Sequence, residues 1–174
     1  FVVDLDIPDT DRAEVVERLD FFIAKYGVSF LREVLGNALD KAFKAGIEAT
    51  EPDQKWKDLR DGCDYTDSNG LSQYWEGLRN AETKQSLVAG LVYYWWQRDK
   101  ASLSTPVGEV KSATDGGKHE SPAQKMVTGW NMMAAGVKHL VAFLYANQET
   151  YPEWDLSFGY CALENYKPIN VLGI

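Results

Sequence analysis

Two histidines, His119 and His139, and two cysteines, Cys63 and Cys161, are the first places to look for chemistry in this chain. None of the four has a His or Cys neighbour at metal-ligand spacing, and there is no CxxC pair. The sequence contains no GxSxG, HExxH, GxGxxG or phosphate-binding glycine loop, so it predicts no catalytic residue, no metal ligand and no cofactor site. One stretch approaches a calcium loop: Tyr65-Thr66-Asp67-Ser68-Asn69-Gly70, with Glu76 in the twelfth place. Asp67, Asn69, Gly70 and Glu76 fit, but the first place, which requires a carboxylate, holds Tyr65. A polar hairpin turn explains the same residues. The run Tyr93-Tyr94-Trp95-Trp96 suggests a sugar-stacking platform, yet four consecutive helical residues point to all sides and cannot make one flat face. Core and subunit contacts are the better expectation for them. The carboxylates Asp9, Asp11, Glu14, Glu17 and Asp20 read as a solvated face with favourable charge near a helix start.

The chain that must position these residues has 174 of them, 45% hydrophobic and 25% charged, with a net charge of −8 and a pI near 4.8. That apolar share excludes disorder and fits a soluble globular domain. The longest apolar run, Leu87 to Trp96, is half of what a membrane span requires, and no stretch reads as a secretory signal. An acidic chain is a poor match for the outside of nucleic acid, where Lys and Arg neutralise phosphate. It suits a wall that lets DNA pass without gripping it. The two cysteines read as mostly buried thiols. The 6 Trp, 9 Tyr and 7 Phe exceed what a small core needs, so some of them are expected at an interface.

Apolar residues at helical spacing predict a first helix over Asp11–Tyr26, carrying Val15, Val16, Leu19, Phe22, Ile23 and Tyr26, capped by Asp11 with Glu14 and stopped at Gly27. A second helix should start after Ser29, with Phe30, Leu31, Val34, Leu35, Leu39 and Phe43 on one face, and end near Gly46 or Pro52. Asp53 should cap a short third, with Trp56 and Leu59 inward and Gly62 as its stop. Residues 63–77 read as a hairpin about Asn69-Gly70. A fourth helix, from about Asn80 to Lys100, is apolar almost all round and should be the most buried. Residues 101–120 read as a strand or arm ending in a flexible loop. Ser121-Pro122-Ala123-Gln124 opens a fifth helix whose stripe runs from Met126 through Trp130 to Leu144. Trp130 is expected to be buried against the fourth helix. The expected fold is therefore mainly α, a bundle of about five helices with a small β-hairpin and an extended arm between the last two long helices. One helical domain, 1–155, would be followed by an irregular tail, 156–174, packing on the domain or on a neighbour.

Several of these stretches together resemble the head–tail connector (adaptor, or head-completion) proteins of tailed bacteriophages. They are Phe30-Leu31-Arg32-Glu33-Val34-Leu35-Gly36, then Trp56-Lys57-Asp58-Leu59 with Gly62, then Tyr74-Trp75-Glu76-Gly77-Leu78. The strongest is Ser86 through Arg98-Asp99, followed by Thr105, Gly108, Glu109, Val110 and Lys111, where the family carries an apolar Tyr-rich helix leading into an arm. Ser121-Pro122, Lys125-Met126-Val127, Trp130-Asn131 and Tyr151-Pro152-Glu153-Trp154 complete the order, which spans about residues 12–155. Lys100 stands where the family has Asn, and the Gly-rich region is longer here. The resemblance implies a non-enzymatic virion protein of the neck: a homo-oligomeric ring, commonly dodecameric, assembled in the host cytoplasm beneath the portal. It would bind the portal and the tail or stopper proteins, with DNA passing its lumen. Candidate subunit contacts are Thr105, Val107, Gly108, Glu109, Val110 and Lys111 in the arm, together with Tyr93, Tyr94 and Trp154. A helical protein-binding or regulatory module, and a small helical hydrolase with converging carboxylates, are the competing expectations.

Overall fold

A computed structural model of the chain describes residues 7, 12–80, 85–105, 108–111 and 123–170. Helix α1 (Ala13–Phe22) runs through a π-helical turn (Ile23–Gly27) into α2 (Val28–Ile47), and α3 (Gln54–Asp61) follows. Strands β1 (Cys63–Thr66) and β2 (Ser72–Trp75) form a hairpin, and α4 (Leu87–Ala101) leads into a second one, β3 (Ser102–Thr105) and β4 (Gly108–Lys111). Helix α5 (Ala123–Ala146) and helix α6 (Leu156–Asn165) complete the described fold. It is mainly helical with small antiparallel β elements, as the periodicity predicts.

The third helix and first hairpin form where the sequence places them. Trp56 and Leu59 are buried, and Gly62 ends α3 at φ 100°. The first helix departs from expectation. Asp11 lies outside the described residues, and Arg12 stands at the N-cap without a side-chain cap. Gly27 does not stop the helix, because its backbone stays helical at φ −67°, ψ −42°. A glycine ends a helix by swinging to positive φ. Here it serves instead as a gap: a Cβ at Gly27 would lie 2.8 Å from Val88 Cγ1 of α4. Burial against α4 outweighs the ~1 kcal/mol helical cost of glycine. Ser29 does not cap either, and its hydroxyl donates back to the carbonyls of Lys25 and Tyr26. Val16 and Ile23, expected inward, are exposed. The true break lies further on, at Gly36 (φ 76°), where the ring of Phe158 of α6 fills the space a Cβ would take.

Two clusters of buried side chains account for the all-round apolarity of α4. Leu87 and Leu91 join the main core, which gathers α2, α3, the first hairpin, α5 and α6. Val92, Tyr93 and Trp96 turn the other way, onto Ile7, Leu19 and Phe22. Helix α4 begins at Leu87 rather than near Asn80, since Arg79 and Ser86 form a β-bridge just before it. Its closeness to α5 depends on Gly90, whose Cβ would sit 2.7 Å from the Gly129 carbonyl oxygen.

The expected irregular tail is corrected over Leu156–Asn165. Asp155 caps α6 by accepting the Ser157 N–H at 2.7 Å, and Trp154 and Ala162 belong to the main core, so this segment is part of the domain. Trp130 is half-buried, not buried. Its indole N–H donates to the Lys167 carbonyl at 2.7 Å, and its ring lies between Tyr94 and Tyr166. Asn131 clasps Ile169 through two hydrogen bonds of 2.9 and 2.8 Å. Of the cysteines, Cys63 is half-buried, with its thiol pushed up to about 11 by burial and by the charges of Asp58 and Asp64, while Cys161 is exposed. Exposure of Cys161 follows from its place on α6, where the inward positions go to Gly159 and Ala162.

Candidate interaction site

The arm takes the form of the β3–β4 hairpin. Its register sets Ser102 opposite Lys111, Leu103 opposite Val110, Ser104 opposite Glu109 and Thr105 opposite Gly108. Five of the expected contact residues, Thr105, Gly108, Glu109, Val110 and Lys111, thus come together in one ribbon. Val107 lies outside the described residues, as do His119 and the expected Ser121-Pro122 helix start. Among the described residues no third strand joins this sheet, which leaves the outer edge of each strand without a ladder partner.

Tyr93 and Trp154, also expected at subunit contacts, are core residues. Tyr93 is 0% exposed in the small cluster, and Trp154 is 5% exposed with its ring against Gly159. Helical direction decides this for Tyr93, which points with Trp96 toward α1. Tyr94 is half-buried and packs on Trp95 and Trp130, with ring centroids 5.5 and 5.0 Å away. Among the described residues the exposed aromatics are others: Phe21, Tyr74, Tyr145, Phe158 and Tyr160.

Asp67, the centre of the calcium-loop resemblance, spends its carboxylate on the turn. One oxygen accepts the N–H groups of Asn69 and Leu71, each at 2.9 Å, and the other faces the Gln73 amide at 3.4 Å. Those bonds, that from Leu71 first, hold its pKa below the ordinary carboxylate range. The described residues contain no group of three or more His, Cys, Asp or Glu side chains arranged to hold a metal. The other perturbed groups are structural. Asp61 is held low by its 2.5 Å pair with Arg60, and Tyr151 is raised by burial with its hydroxyl donating to the Lys55 carbonyl. Tyr166 is raised by burial and by the Glu33 carboxylate, to which it donates at 2.5 Å.

The sequence reading missed an open groove of about 380 Å³ between the α1–π segment and α4. It is lined by Arg18, Phe21, Lys25, Tyr26, Trp95 and Arg98, among others. Tyr26 and Trp95 stack with centroids 4.8 Å apart and planes 4° from parallel. Lys25 lies over the Tyr26 ring at 5.0 Å, and Arg98 lies 5.0 Å from the Trp95 ring. Each pair is locally visible, as Lys25 adjoins Tyr26 and Arg98 follows Trp95 by three residues. Their junction is tertiary. An ion pair between Arg18 and Asp99 ties the two walls.

Comparison of the chain with protein-family models, curated proteins and solved structures finds no match. Among the described residues no helix is long and apolar enough to cross a membrane.

Proposed function

We propose that the chain is a structural subunit of a phage head–tail connector, assembling into a ring beneath the portal, joining capsid to tail and letting DNA pass. The observation that carries this reading is the β3–β4 ribbon between α4 and α5. An isolated two-stranded hairpin is marginal in water, and its open edges are templates for strand addition. A neighbouring subunit that adds a strand gains main-chain hydrogen bonds, with alternating side chains fixing the register. The order of motifs from Phe30 to Trp154 and the net charge of −8, which disfavours gripping DNA, support the same reading. Bond-making chemistry has no part in it. The function is packing and β-pairing between copies, and docking on portal and stopper proteins.

The test is deletion of residues 104–112 with particle imaging of the assembly. The isolated variant should keep its helical signal and lose ring formation on portals. Amide exchange across 102–111 should be fast in the isolated chain and slow around Thr105–Lys111 in the ring. A deletion variant that assembles as well as the parent would overturn the role given to the hairpin. A second reading, a helical protein-binding module, is favoured by the groove at Tyr26 and Trp95. Images showing no repetition of the chain around a DNA-containing axis would select it.

A further inference from the structure

We propose that the groove between the α1–π segment and α4 is a docking site for an acidic peptide segment of a partner protein that carries at least one large apolar side chain. This inference does not rest on the connector reading. Charge is the first argument. The chain as a whole is at −8, yet this groove gathers Arg18, Lys25 and Arg98 around a single carboxylate, Asp99. Arg18 is committed to Asp99. Lys25 and Arg98 form no ion pair among the described residues; Lys25 lies over the rings of Tyr26 and Phe21, and Arg98 over that of Trp95. Two exposed cations without a carboxylate partner among the described residues, each set over one ring of the aromatic stack, complement two carboxylates on an extended ligand.

Shape and surface supply the apolar half. Phe21 lines the groove and is 59% exposed, although Phe22 beside it is buried in the small cluster. The groove is large enough for one bulky side chain set against Phe21 and Tyr26. Backbone geometry points to the same place. Lys25 and Tyr26 lie within the π-helical turn Ile23–Gly27, a wide turn found mostly as short insertions and frequently at functional sites. That turn continues the helix past Gly27 while Lys25 and Tyr26 remain on the groove wall.

Nucleic acid is the other polyanion to weigh, and two observations disfavour it. Single-stranded nucleic acid binds such grooves by stacking bases on open aromatic faces. Here the faces of Tyr26 and Trp95 are taken by each other, by Lys25 and by Arg98. A chain at −8 also repels a dense phosphate backbone much more than a short peptide with a few carboxylates.

The experiment selects binders from a random-peptide library on the full chain and, in parallel, on a Lys25→Glu/Arg98→Glu variant. Both substituted side chains are exposed, and melting curves verify the fold. Expected are peptides enriched in Asp or Glu around Leu, Phe or Trp that perturb the NMR signals of Lys25, Trp95 and Arg98. Their affinity should fall at least about tenfold in the double variant and weaken with added salt. Phe21→Ala should weaken them without changing the salt dependence. Enrichment without acidic bias, equal binding to the double variant, or no enrichment would each overturn the proposal. So would an oligothymidylate that perturbs the same signals with higher affinity than the selected peptides, an outcome that assigns the groove to nucleic acid.

Discussion

The β1–β2 and β3–β4 hairpins are built alike, each from two antiparallel strands of four residues, and their sequences differ in the apolar side chains they offer to a core. The first is fastened at both ends and on one face. Trp75 stacks on Phe143 of α5 with centroids 5.6 Å apart, Tyr65 meets the same ring edge-on, and the Trp75 indole N–H donates to the Leu59 carbonyl at 3.1 Å. Beyond β2 the chain pairs again with the end of α3, where the N–H groups of Leu78 and Arg79 reach the carbonyls of Leu59 and Arg60. The second hairpin has in sequence one apolar residue per strand, Leu103 and Val110, opposite each other in register. Strand length alone therefore does not decide whether a hairpin is held by its own chain. For the first hairpin, anchoring to the core through Trp75 and Tyr65 does.

The sharpest way to break this comparison is to remove the anchor. Trp75→Ala would delete a side chain that is 2% exposed, together with its hydrogen bond. Lost transfer energy and the cavity should cost roughly 3–5 kcal/mol in urea unfolding. A loss below about 1 kcal/mol would mean that Trp75 does not anchor the first hairpin.

Backbone closure comes next. Gly62 has φ 100° and ψ 159°, and a Cβ there would lie 2.4 Å from the Trp75 carbonyl oxygen. Gly62→Ala should cost about 1–3 kcal/mol for the backbone region alone, plus the displacement of β2. Thermal melting should show a clear drop, and an unchanged midpoint would show that the strand can move away freely.

How much of this was legible follows from where each signal lies. Helix α3, its Gly62 stop and the first hairpin were readable because cap, apolar pair and Asn-Gly turn sit within a few residues of one another. Gly27 misled because its environment is Val88, on a helix about sixty positions away in sequence, and Ser29 because its hydroxyl bonds back to Lys25 and Tyr26 rather than forward. The inward face of helix α6 is a thin stripe, Leu156, Gly159, Ala162 and Leu163, with two small residues at its centre and the larger Phe158 and Tyr160 beside it partly exposed, so its apolar signal is weak. The candidate arm was found from its residues, but its pairing was not. The groove was invisible because Arg18 and Asp99, which tie its walls, are 81 positions apart.

The cross-strand pair of the second hairpin gives a smaller effect. Leu103→Ala and Val110→Ala should each change the stability of the isolated chain by less than about 1 kcal/mol, the range of one cross-strand pair. The same variants should slow ring assembly measured by light scattering. A loss comparable to that of Trp75→Ala would show that β3–β4 is anchored to the core after all.

The smallest expected effect concerns the turn of the first hairpin and its response to acid. Asp67 accepts the Leu71 and Asn69 N–H groups and the Gln73 amide, the Leu71 bond being the main cause of its lowered pKa. A carboxylate whose folded pKa lies below its unfolded value of about 4 stabilises the fold fully above that value. The contribution is lost as pH falls through the lower, folded pKa. An NMR titration should therefore give the Asp67 carboxyl a midpoint below that of an aspartate in an unstructured peptide. Below that midpoint the Asn69 and Leu71 amides should exchange faster, while Trp75 stays packed on Phe143. Asp67→Asn should reproduce the faster exchange at neutral pH and flatten the pH dependence, because the neutral amide is the weaker acceptor. An Asp67 midpoint at the ordinary carboxylate value would show that the turn does not depend on its charge and that the core face alone holds the first hairpin in place.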